Sequence, residues 1–266
     1  MKGIFKKLIC VLIISAIGLS MVGCGQTKTM DRIEKSGKLV VGTSAEYAPY
    51  EYHTLVDGKD TIVGFDISII QEIAKDLGVQ LEIVDMGFEG LLGALNSNKV
   101  DVVIAGMNPD EKRRKSVDFS KIYYEAKQGV LVRTEDKDKI KSIADLSGKK
   151  VGVQLGTTQE AIAKEQMKDS SLVSLGKIPD LVMELKNKKI DALVVELPVA
   201  NGYIKNNNDL ELSEISVKEE SGGSAIAVKK GNSELVELIN KSLDRLMTDG
   251  SIDKFVKEAN DNNVTK

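Results

Sequence analysis

Arg113 lies close to a segment that has the sequence of a helix start. Asn108 suits the N-cap position, Pro109 suits the first helical position, and two acidic residues follow in the first turn. The free backbone N–H groups of a helix start attract an anion, and a guanidinium group binds a carboxylate through two parallel hydrogen bonds. This segment could therefore hold a carboxylate, although a solvated arginine paired with a neighbouring acid is equally compatible with the sequence.

Two threonines and one glutamate have comparable positions farther along the chain. Thr157 and Thr158 follow Gly156 after an apolar strand pattern and precede a helical pattern. Their hydroxyl groups and the amides of the helix start could bind an anion or could only cap the helix. Glu196 ends another apolar strand pattern, where ligands bind in open α/β sheets. It could accept a hydrogen bond from an ammonium group or only precede the next helix.

Aromatic residues are scarce, since the chain has six Tyr, five Phe and no Trp. Three of the tyrosines, Tyr47, Tyr50 and Tyr52, nevertheless lie within six residues, around Pro49. Aromatic rings in a loop at the end of a strand can stack on a ligand. The alternative is that these rings fill the end of the sheet as part of the core.

The candidate residues lie at the ends of predicted strands in a chain that alternates between strand and helix patterns. The apolar runs 39–42, 81–84 and 100–105 predict strands, and the last has the composition of a strand buried on both faces. Apolar residues recur at helical spacing within 65–77 and 91–95. This alternation predicts a parallel α/β sheet.

The same scheme occurs twice. Lys99-Val100-Asp101 and Lys189-Ile190-Asp191 each follow a predicted helix and begin a predicted strand, 90 residues apart. Two lobes of the same architecture are the simplest explanation, although a common helix-to-strand turn can recur by coincidence. Predicted strands at 128–132 and 225–228 lie where the chain would pass between the lobes, so we expect a hinge with two crossings. We assign residues 37–126 and 219–266 to lobe 1 and residues 127–218 to lobe 2.

The amino terminus has the form of a secretory signal. Three lysines precede an apolar run, 8–22, that contains no acidic residue, is too short to span a bilayer and ends at Gly23. Residues 21–24 resemble a bacterial lipobox. We therefore predict a signal peptide at 1–23, lipidation of Cys24 and a lipidated tether at 24–36, the alternative being a plain signal peptide with an incidental cysteine.

Composition excludes several functional classes. An isoelectric point of about 5.5 and a net charge of −3 argue against a nucleic-acid binder, which needs a basic surface. Cys10 leaves with the signal peptide and His53 is the only histidine, so a zinc site or a Ser-His-Asp triad is not expected. We predict that His53 lies in a solvated loop. Without a Gly-x-Gly-x-x-Gly or Walker motif, we expect no nucleotide cofactor and no metal.

Taken together, these segments resemble the polar amino-acid-binding proteins of bacterial import transporters, extracytoplasmic solute-binding proteins of family 3. The most specific segments are 41–51, 63–66, 105–113 and 151–158, and the resemblance covers essentially the whole mature chain. It implies a two-lobed periplasmic-binding-protein fold, in which each lobe is a sheet flanked by helices and two crossings form a hinge. It also implies that the protein delivers its ligand to a membrane permease with an ATPase subunit.

The resemblance implies a role for each candidate residue. Arg113, Thr157 and Thr158 match residues that meet the α-carboxylate of the ligand, and Glu196 matches an acid that meets its ammonium group. Many relatives have Ser or Thr at the position of Asn108 and Asp at that of Glu196, but Asn108 can still accept through its carbonyl and Glu196 keeps the charge. The predicted ligand-binding residues are Tyr47, Tyr50, Phe88, Ala105, Gly106, Met107, Asn108, Arg113, Thr157, Thr158 and Glu196, of which Tyr47 and Phe88 match positions beside the ligand side chain.

Acidic residues near the predicted side-chain pocket favour a basic amino acid, arginine first. Glu46 and Glu51 flank two of the tyrosines, Glu89 follows Phe88, and Ser44 lies nearby in the sequence. A guanidinium group there could find both a carboxylate and an aromatic face, unless these carboxylates point into solvent.

Two other functions stay open from the sequence. A receptor specific for glutamine or cystine would use the same residues around the α-amino and α-carboxylate groups. An enzyme similar to cyclohexadienyl dehydratase, on the same scaffold, would use Glu196 as a general acid. We expect a binding protein without catalytic residues, a monomer, attached by lipid to the outer face of the membrane of a Gram-positive bacterium.

Overall fold

The computed structural model describes residues 29–125, 127–219 and 222–262, so the predicted signal peptide and Cys24 lie outside the described residues. The strands are β1 (Lys38–Thr43), β2 (Glu46–Tyr47), β3 (Glu51–Val56), β4 (Lys59–Val63), β5 (Gln80–Asp85), β6 (Val102–Val103), β7 (Val117–Tyr124), β8 (Gln128–Arg133), β9 (Lys150–Gln154), β10 (Ser171–Leu175), β11 (Ala192–Glu196), β12 (Leu210–Leu212) and β13 (Ser224–Lys229). The α-helices are α1 (Thr29–Ser36), α2 (Phe65–Asp76), α3 (Leu91–Asn96), α4 (Glu111–Arg114), α5 (Thr158–Gln166), α6 (Ile178–Lys186), α7 (Leu197–Asn206), α8 (Ser233–Thr248) and α9 (Ser251–Asn262). Short 3-10 helices cover Phe88–Gly90, Thr134–Lys139 and Ile143–Leu146.

The strands form two five-stranded sheets, each flanked by helices, and a small antiparallel sheet of three strands, β2-β3-β4. Sheet 1 has the order β5-β1-β6-β13-β7 and sheet 2 the order β10-β9-β11-β8-β12. Helices α2, α8 and α9 pack together on one side of sheet 1 and α3 on the other, while α5, α6 and α7 pack on sheet 2. The chain passes from sheet 1 to sheet 2 between β7 and β8 and returns between β12 and β13. The predicted α/β fold with two lobes and two crossings is confirmed.

Both sheets are mixed, which corrects the prediction of parallel sheets. β1 is parallel to β5 and β6, and β9 is parallel to β10 and β11. By contrast, β8 is antiparallel to β11 and β12, and β13 is antiparallel to β6 and β7. The reason is geometric, because β8 and β13 each follow a crossing. A strand that arrives from the other lobe starts beside the carboxyl end of its neighbour, as the pairing of Gln128 with Glu196 illustrates.

The apolar run at residues 100–105 forms a shorter strand than predicted. Only Val102 and Val103 belong to β6, although the whole run is buried. Alternate side chains enter the cores on opposite faces of sheet 1, Val102 and Ile104 on one side and Val103 and Ala105 on the other. Burial on both faces therefore matches the sequence pattern, while Gly106, with φ 55°, turns the chain after Ala105.

The repeated Lys-apolar-Asp segments have the same local structure in both sheets. The Asp101 carboxylate accepts the N–H of Val40 in β1, and that of Asp191 accepts the N–H of Lys150 in β9, each at 2.9 Å. Both carboxylates also pair with an arginine, Arg32 and Arg133 respectively. In both lobes, the aspartate of the repeat therefore fixes the helix-to-strand turn to the neighbouring strand.

His53 lies in a strand and not in the predicted loop. Residues Glu51–Val63 form the hairpin β3–β4, and the ring nitrogens of His53 contact the carboxylates of Asp60 at 3.0 Å and Asp85 at 3.2 Å. Desolvation lowers the pKa of His53, but the hydrogen bonds with Asp85 and Asp60 outweigh it and raise the pKa overall. The polar composition of the segment reflects an exposed hairpin.

Helix α1 lies inside the segment 24–36, for which the sequence predicts a tether. Met30 and Ile33 of this helix are buried, and Arg32 pairs with Asp101. The apolar spacing of Met30 and Ile33 gives α1 one face that packs against sheet 1 and α8. A tether can therefore extend only over residues before Thr29.

Gly64 fixes the junction between the hairpin and helix α2. Its φ is 130°, and a Cβ at this position would lie 2.1 Å from the carbonyl oxygen of Tyr50, so only glycine fits. The next two amides, of Phe65 and Asp66, donate to the carbonyl oxygens of Pro49 at 3.1 Å and Tyr50 at 3.0 Å. The start of α2 is thus held directly against the aromatic segment.

Candidate ligand-binding cleft

A small cavity lies between the two sheets, with a volume of about 10 Å³. This is roughly the space of one water molecule, so a larger ligand can enter only when the lobes move apart. Several lining residues end or follow strands of the two sheets, and most belong to the predicted site. The lining residues are Ser44, Tyr47, Glu51, Phe88, Ala105, Gly106, Asn108, Gln154, Thr157 and Gln159.

The helix that carries Arg113 begins later than predicted. Its N-cap is Asp110, whose carboxylate accepts the N–H of Arg113 at 2.8 Å, and helix α4 is a single turn. Asn108 is therefore not the N-cap. Its side chain turns toward sheet 2 and donates to the carbonyl of Gly223 at 3.1 Å and to Glu196 at 3.4 Å. Asp110 is the N-cap because it directly precedes the helix, where its carboxylate reaches the free N–H of Arg113.

Arg113 joins the two lobes. Its guanidinium donates to the carbonyl oxygens of Asn108 at 2.7 Å and Gly156 at 3.0 Å, and lies 3.5 Å from the hydroxyl of Thr158. The same group lies 5.3 Å from the centroid of the Phe88 ring. Burial lowers the pKa of Arg113, but an arginine stays charged at physiological pH. Its Nε atom also lies 3.4 Å from the carboxylate of Asp110, so this buried cation is held at one end of the cavity by two carbonyl oxygens and one acid.

The two threonines have different local roles. The hydroxyl of Thr157 caps helix α5, since it accepts the N–H of Glu160 at 3.2 Å and donates to the carbonyl of Gln154 at 2.6 Å. Thr158 is the first residue of α5, and its hydroxyl faces Arg113. Both residues are buried. The N-capping explanation therefore accounts for the hydroxyl of Thr157, while Thr158 lies next to the guanidinium.

Glu196 is a fully buried acid at the carboxyl end of β11. Its carboxylate accepts from the hydroxyl of Tyr50, from the amide of Asn108 at 3.4 Å and from that of Gln128 at 3.5 Å. Desolvation raises the pKa of Glu196 to about 7, although these hydrogen bonds lower it. Among the described residues no Lys, Arg or His forms an ion pair with it. Glu196 is therefore ready to accept a cationic group.

Glu51 is the carboxylate of the cavity wall. It is fully buried, and apart from the neighbouring carboxyl group of Asp66 its oxygens have no hydrogen-bond partner within the described part of the chain. Burial and the neighbouring charge of Asp66 raise its pKa well above the usual value. In sequence Glu51 is only one of three acids near the aromatic residues, and the structure separates it from the other two.

The remaining side-chain candidates have different environments. Ser44 is buried and lines the cavity. Glu46 does not line it and pairs across the cleft with Lys177, the residue that precedes helix α6. Glu89 is exposed, with its Cβ next to the backbone of Gly156.

Other predicted residues lie directly behind the cavity wall. Tyr50 is fully buried, with its ring centroid 4.4 Å from that of Phe65 and 5.2 Å from that of Tyr47. Met107 is buried, and its carbonyl accepts the N–H of Ala225 in β13 at 2.9 Å. Arg113, Thr158 and Glu196 likewise contact lining residues and do not line the cavity themselves.

The sequence analysis does not identify three buried glutamines of the cleft. Gln154 ends β9 and Gln159 lies in the first turn of α5, and both line the cavity. The amide of Gln159 donates to Gln128 at 2.9 Å, and Gln128 in turn contacts Glu196. The sequence could have indicated Gln154 and Gln128, because each lies at the cleft end of a strand, as Glu196 does.

In the described part of the chain, no cluster of three or more His, Cys, Asp or Glu side chains could hold a metal ion. Likewise, none of the helices in residues 29–125, 127–219 and 222–262 is long and apolar enough to cross a membrane.

Replacement of Glu196 by Gln should change how stability depends on pH. The pKa of Glu196 is raised from 4.5 to about 7 on folding, so its stabilising contribution is complete below pH 4.5 and is lost as pH rises through 7. Between about pH 5 and 8, we expect the wild type without ligand to lose roughly 2 to 3 kcal/mol more unfolding free energy than Glu196→Gln in urea titrations. The exposed Glu258→Gln should behave as the wild type, and equal slopes for all three proteins would contradict the assignment.

Comparison with known proteins identifies the family. The sequence profile of the bacterial extracellular solute-binding proteins, family 3, matches residues 39–260. The arginine-binding extracellular protein ArtP of Bacillus subtilis is 40% identical over 256 residues, covering 95% of this chain and 97% of that protein. The L-cystine-binding protein TcyJ of Escherichia coli is 30% identical over 251 residues, covering 94% and 92%.

A solved structure shows the same architecture. The amino-acid ABC transporter substrate-binding protein AbpA of Streptococcus pneumoniae, bound to L-arginine, superposes with a TM-score of 0.86 at 39% identity and covers 89% of this chain and 100% of that one. The chain belongs to the bacterial extracellular solute-binding proteins of family 3.

Proposed function

We propose that the protein is the receptor of an amino-acid import transporter and that its ligand is L-arginine. The observation that carries the proposal is Glu51, a buried acid in the wall of the cavity whose hydrogen-bond partner among the described residues is another acid, Asp66. A buried carboxylate without a basic partner is costly, and a cationic side chain of the ligand would supply that partner. The names of the relatives ArtP and AbpA support the same ligand.

The α-amino and α-carboxylate groups would bind at the two joints between the lobes. In the proposal the α-carboxylate binds the guanidinium of Arg113 and replaces the weaker contacts of that group with carbonyl oxygens. The α-carboxylate also binds Thr158 and the backbone at Thr157. The ammonium group meets Glu196 and the carbonyl of Asn108. These are charge-assisted hydrogen bonds in a site that excludes water, where they are stronger than neutral ones.

The side chain would lie between aromatic rings. Tyr47 and Phe88 line the cavity, Ser44 adds a hydroxyl group, and Ala105 and Gly106 form a backbone wall without bulk. A guanidinium group can stack on an aromatic face and bind a carboxylate in its own plane, which suits Glu51 beside Tyr47. Glu46 and Glu89 have no part in this arrangement.

Capture would depend on closure of the hinge. The contacts that join the lobes include those of Arg113 with Gly156, of Tyr50 with Glu196 and of Lys177 with Glu46. A ligand that contacts both lobes stabilises this closed arrangement, which the permease and its ATPase subunit would then recognise. In this proposal the protein acts as a monomer, with lobe 1 formed by residues 37–126 and 219–266 and lobe 2 by 127–218.

A catalytic function is the second candidate, because a carboxyl group with a pKa of about 7 can act as a general acid at neutral pH. Turnover of prephenate or arogenate by the purified protein would establish it. The relatives with established ligands are binding proteins, which favours capture without chemistry.

Replacement of Arg113 by Ala should nearly abolish binding. Loss of one partner of a desolvated charge pair costs about 2 to 5 kcal/mol, roughly 30- to several-thousand-fold in Kd. The matched control is Arg114→Ala, since Arg114 packs on Phe119 at 5.6 Å and donates to Pro109 outside the cavity. Calorimetry should show less than about threefold change for the control, and a similarly small change for Arg113→Ala would remove this residue from the site.

A thermal-melting screen of the twenty amino acids should identify the ligand. A ligand present at 100 times its Kd adds about 2.7 kcal/mol to the unfolding free energy. We expect arginine to give the largest rise in Tm, lysine a smaller one and glutamine or cystine the least. A rise with glutamine or cystine and none with arginine or lysine would refute the basic ligand but leave the amino-acid receptor intact.

We also propose that the protein is a lipoprotein on the outer face of the membrane of a Gram-positive bacterium, with a signal peptide at 1–23. The proposal rests on the sequence around Cys24. Replacement Cys24→Ser should release the protein into the soluble fraction, because acylation needs the thiol. Mass spectrometry should find an acyl chain on the wild type alone; a wild type without an acyl chain, and a variant that stays with the membrane, would contradict the proposal.

A further inference from the structure

Two carboxylic acids without a basic partner lie together at the cavity wall. Glu51 and Asp66 are both fully buried, and their carboxyl groups lie within hydrogen-bonding reach of each other, a bond that needs a proton on one of them; the oxygens of Glu51 have no other partner among the described residues. One oxygen of Asp66 accepts the N–H of Gly106 and the hydroxyl of Tyr123, each at 2.8 Å, and its other oxygen has no further partner among the described residues. Only Glu51 of the two lines the cavity.

The groups that face this pair cannot neutralise it. Tyr47 and Tyr50 lie just before Glu51 in the chain. Tyr123 faces the pair from β7, Glu196 from β11 and Asp85 from the end of β5. All of these are acids or phenols. Within the described residues neither Glu51 nor Asp66 forms an ion pair with a Lys, Arg or His side chain.

Burial therefore leaves the pair two stable states. With both groups ionised, two like charges would lie together in a medium of low polarity, which is unfavourable. Either the pair holds a proton or a cation from outside the protein comes next to it. Desolvation raises the pKa of Asp66 to about 6, and desolvation and Asp66 together raise that of Glu51, so a proton is held more firmly here than on an exposed acid.

We propose that Asp66 is a positioning residue that makes the Glu51 site exchange a proton for the cationic end of the ligand side chain. The free protein keeps one proton on the pair. When a guanidinium or ammonium side chain binds beside Glu51, the O–H bond breaks, the proton goes to solvent and the carboxylate pair becomes the counter-ion of the ligand. The inference rests on the proposed function, since it requires a cationic amino acid.

The exchange has a consequence for specificity. A neutral side chain cannot replace the proton and finds the pair in its protonated form, whereas a cationic side chain gains a counter-ion. Selection for cations is then strongest at neutral and alkaline pH and weakens as the pH falls. Asp66 contributes without touching the ligand, because it sets the charge state of Glu51.

Proton counting by calorimetry tests the proposal. Arginine is titrated into the full-length protein at about pH 6 in phosphate and in bis-tris buffer, whose ionisation enthalpies differ, and the difference in heat gives the protons released. Glu196 can release at most one proton when it meets the α-ammonium group. We expect the wild type to release about two protons and Glu51→Gln about one. Asp66→Asn should release fewer protons than the wild type, because the charge of Asp66 adds to desolvation in raising the pKa of Glu51; release equal to that of the wild type would remove Asp66 from the exchange. Asn keeps an oxygen that can accept from Gly106 and Tyr123.

The controls separate this inference from the proposed function. Asp57→Asn, at the exposed turn of the β3–β4 hairpin, should release as many protons as the wild type. A wild type that binds arginine with release of one proton or fewer would overturn the inference and leave the proposed function standing. Absence of arginine binding in the wild type would refute both. If Asp66→Asn does not fold, the wild-type count and Glu51→Gln decide the question.

Discussion

The cleft is governed by the burial of carboxyl groups without basic partners. Glu51, Asp66 and Glu196 lie in or behind the wall of one small cavity, and the described residues supply Asp66 and Glu196 with hydrogen bonds from phenols, amides and the backbone. The nearby cation, Arg113, is occupied with carbonyl oxygens and with Asp110 at the other joint between the lobes. This separation of charge, more than the shape of the cavity, makes the cleft suited to a molecule with a carboxylate at one end and cations elsewhere.

The architecture keeps these charges apart while bringing them from distant parts of the chain. Glu196 ends a strand of sheet 2, Arg113 follows a strand of sheet 1, and Glu51 begins a hairpin that is held against helix α2 at Gly64. Because the parallel strands of both sheets end at the cleft, side chains that follow them converge there. Hinge closure then decides whether the two ends of the cavity are close enough to share one ligand.

Much of this could be predicted from sequence, and the limits have physical reasons. Strand ends pointed to Glu196 and Thr157, a helix-start pattern pointed to Arg113, and the family resemblance added a predicted role for each. Local sequence could not tell Glu51 from Glu46, because the decision depends on register: Tyr47 pairs with Glu51 and Glu46 with Tyr52. Residues directly opposite each other in an antiparallel pair share a face, so Glu51 follows Tyr47 to the cavity while Glu46 faces away from it.

Direction and length of strands were also beyond the local pattern. An apolar run is the same in a parallel or an antiparallel strand, so the sequence could not show that β8 and β13 run against their neighbours. The position of Asn108 illustrates the same limit at a helix start, since both Asn108 and Asp110 are good N-caps and only the path of the chain selects Asp110. Interactions between distant segments decided each of these cases.

The position of β13 has a consequence for how the protein forms. Sheet 2 takes all its strands from one continuous stretch, Gln128–Leu212, whereas sheet 1 is completed only by Ser224–Lys229, which inserts between β6 and β7. A chain that emerges from its amino end can therefore assemble sheet 2 first. Until β13 is present, β6 and β7 each keep an unpaired edge that can bind other extended chains. Rapid arrival of the carboxyl-terminal segment thus protects the earlier part of the protein from misassembly.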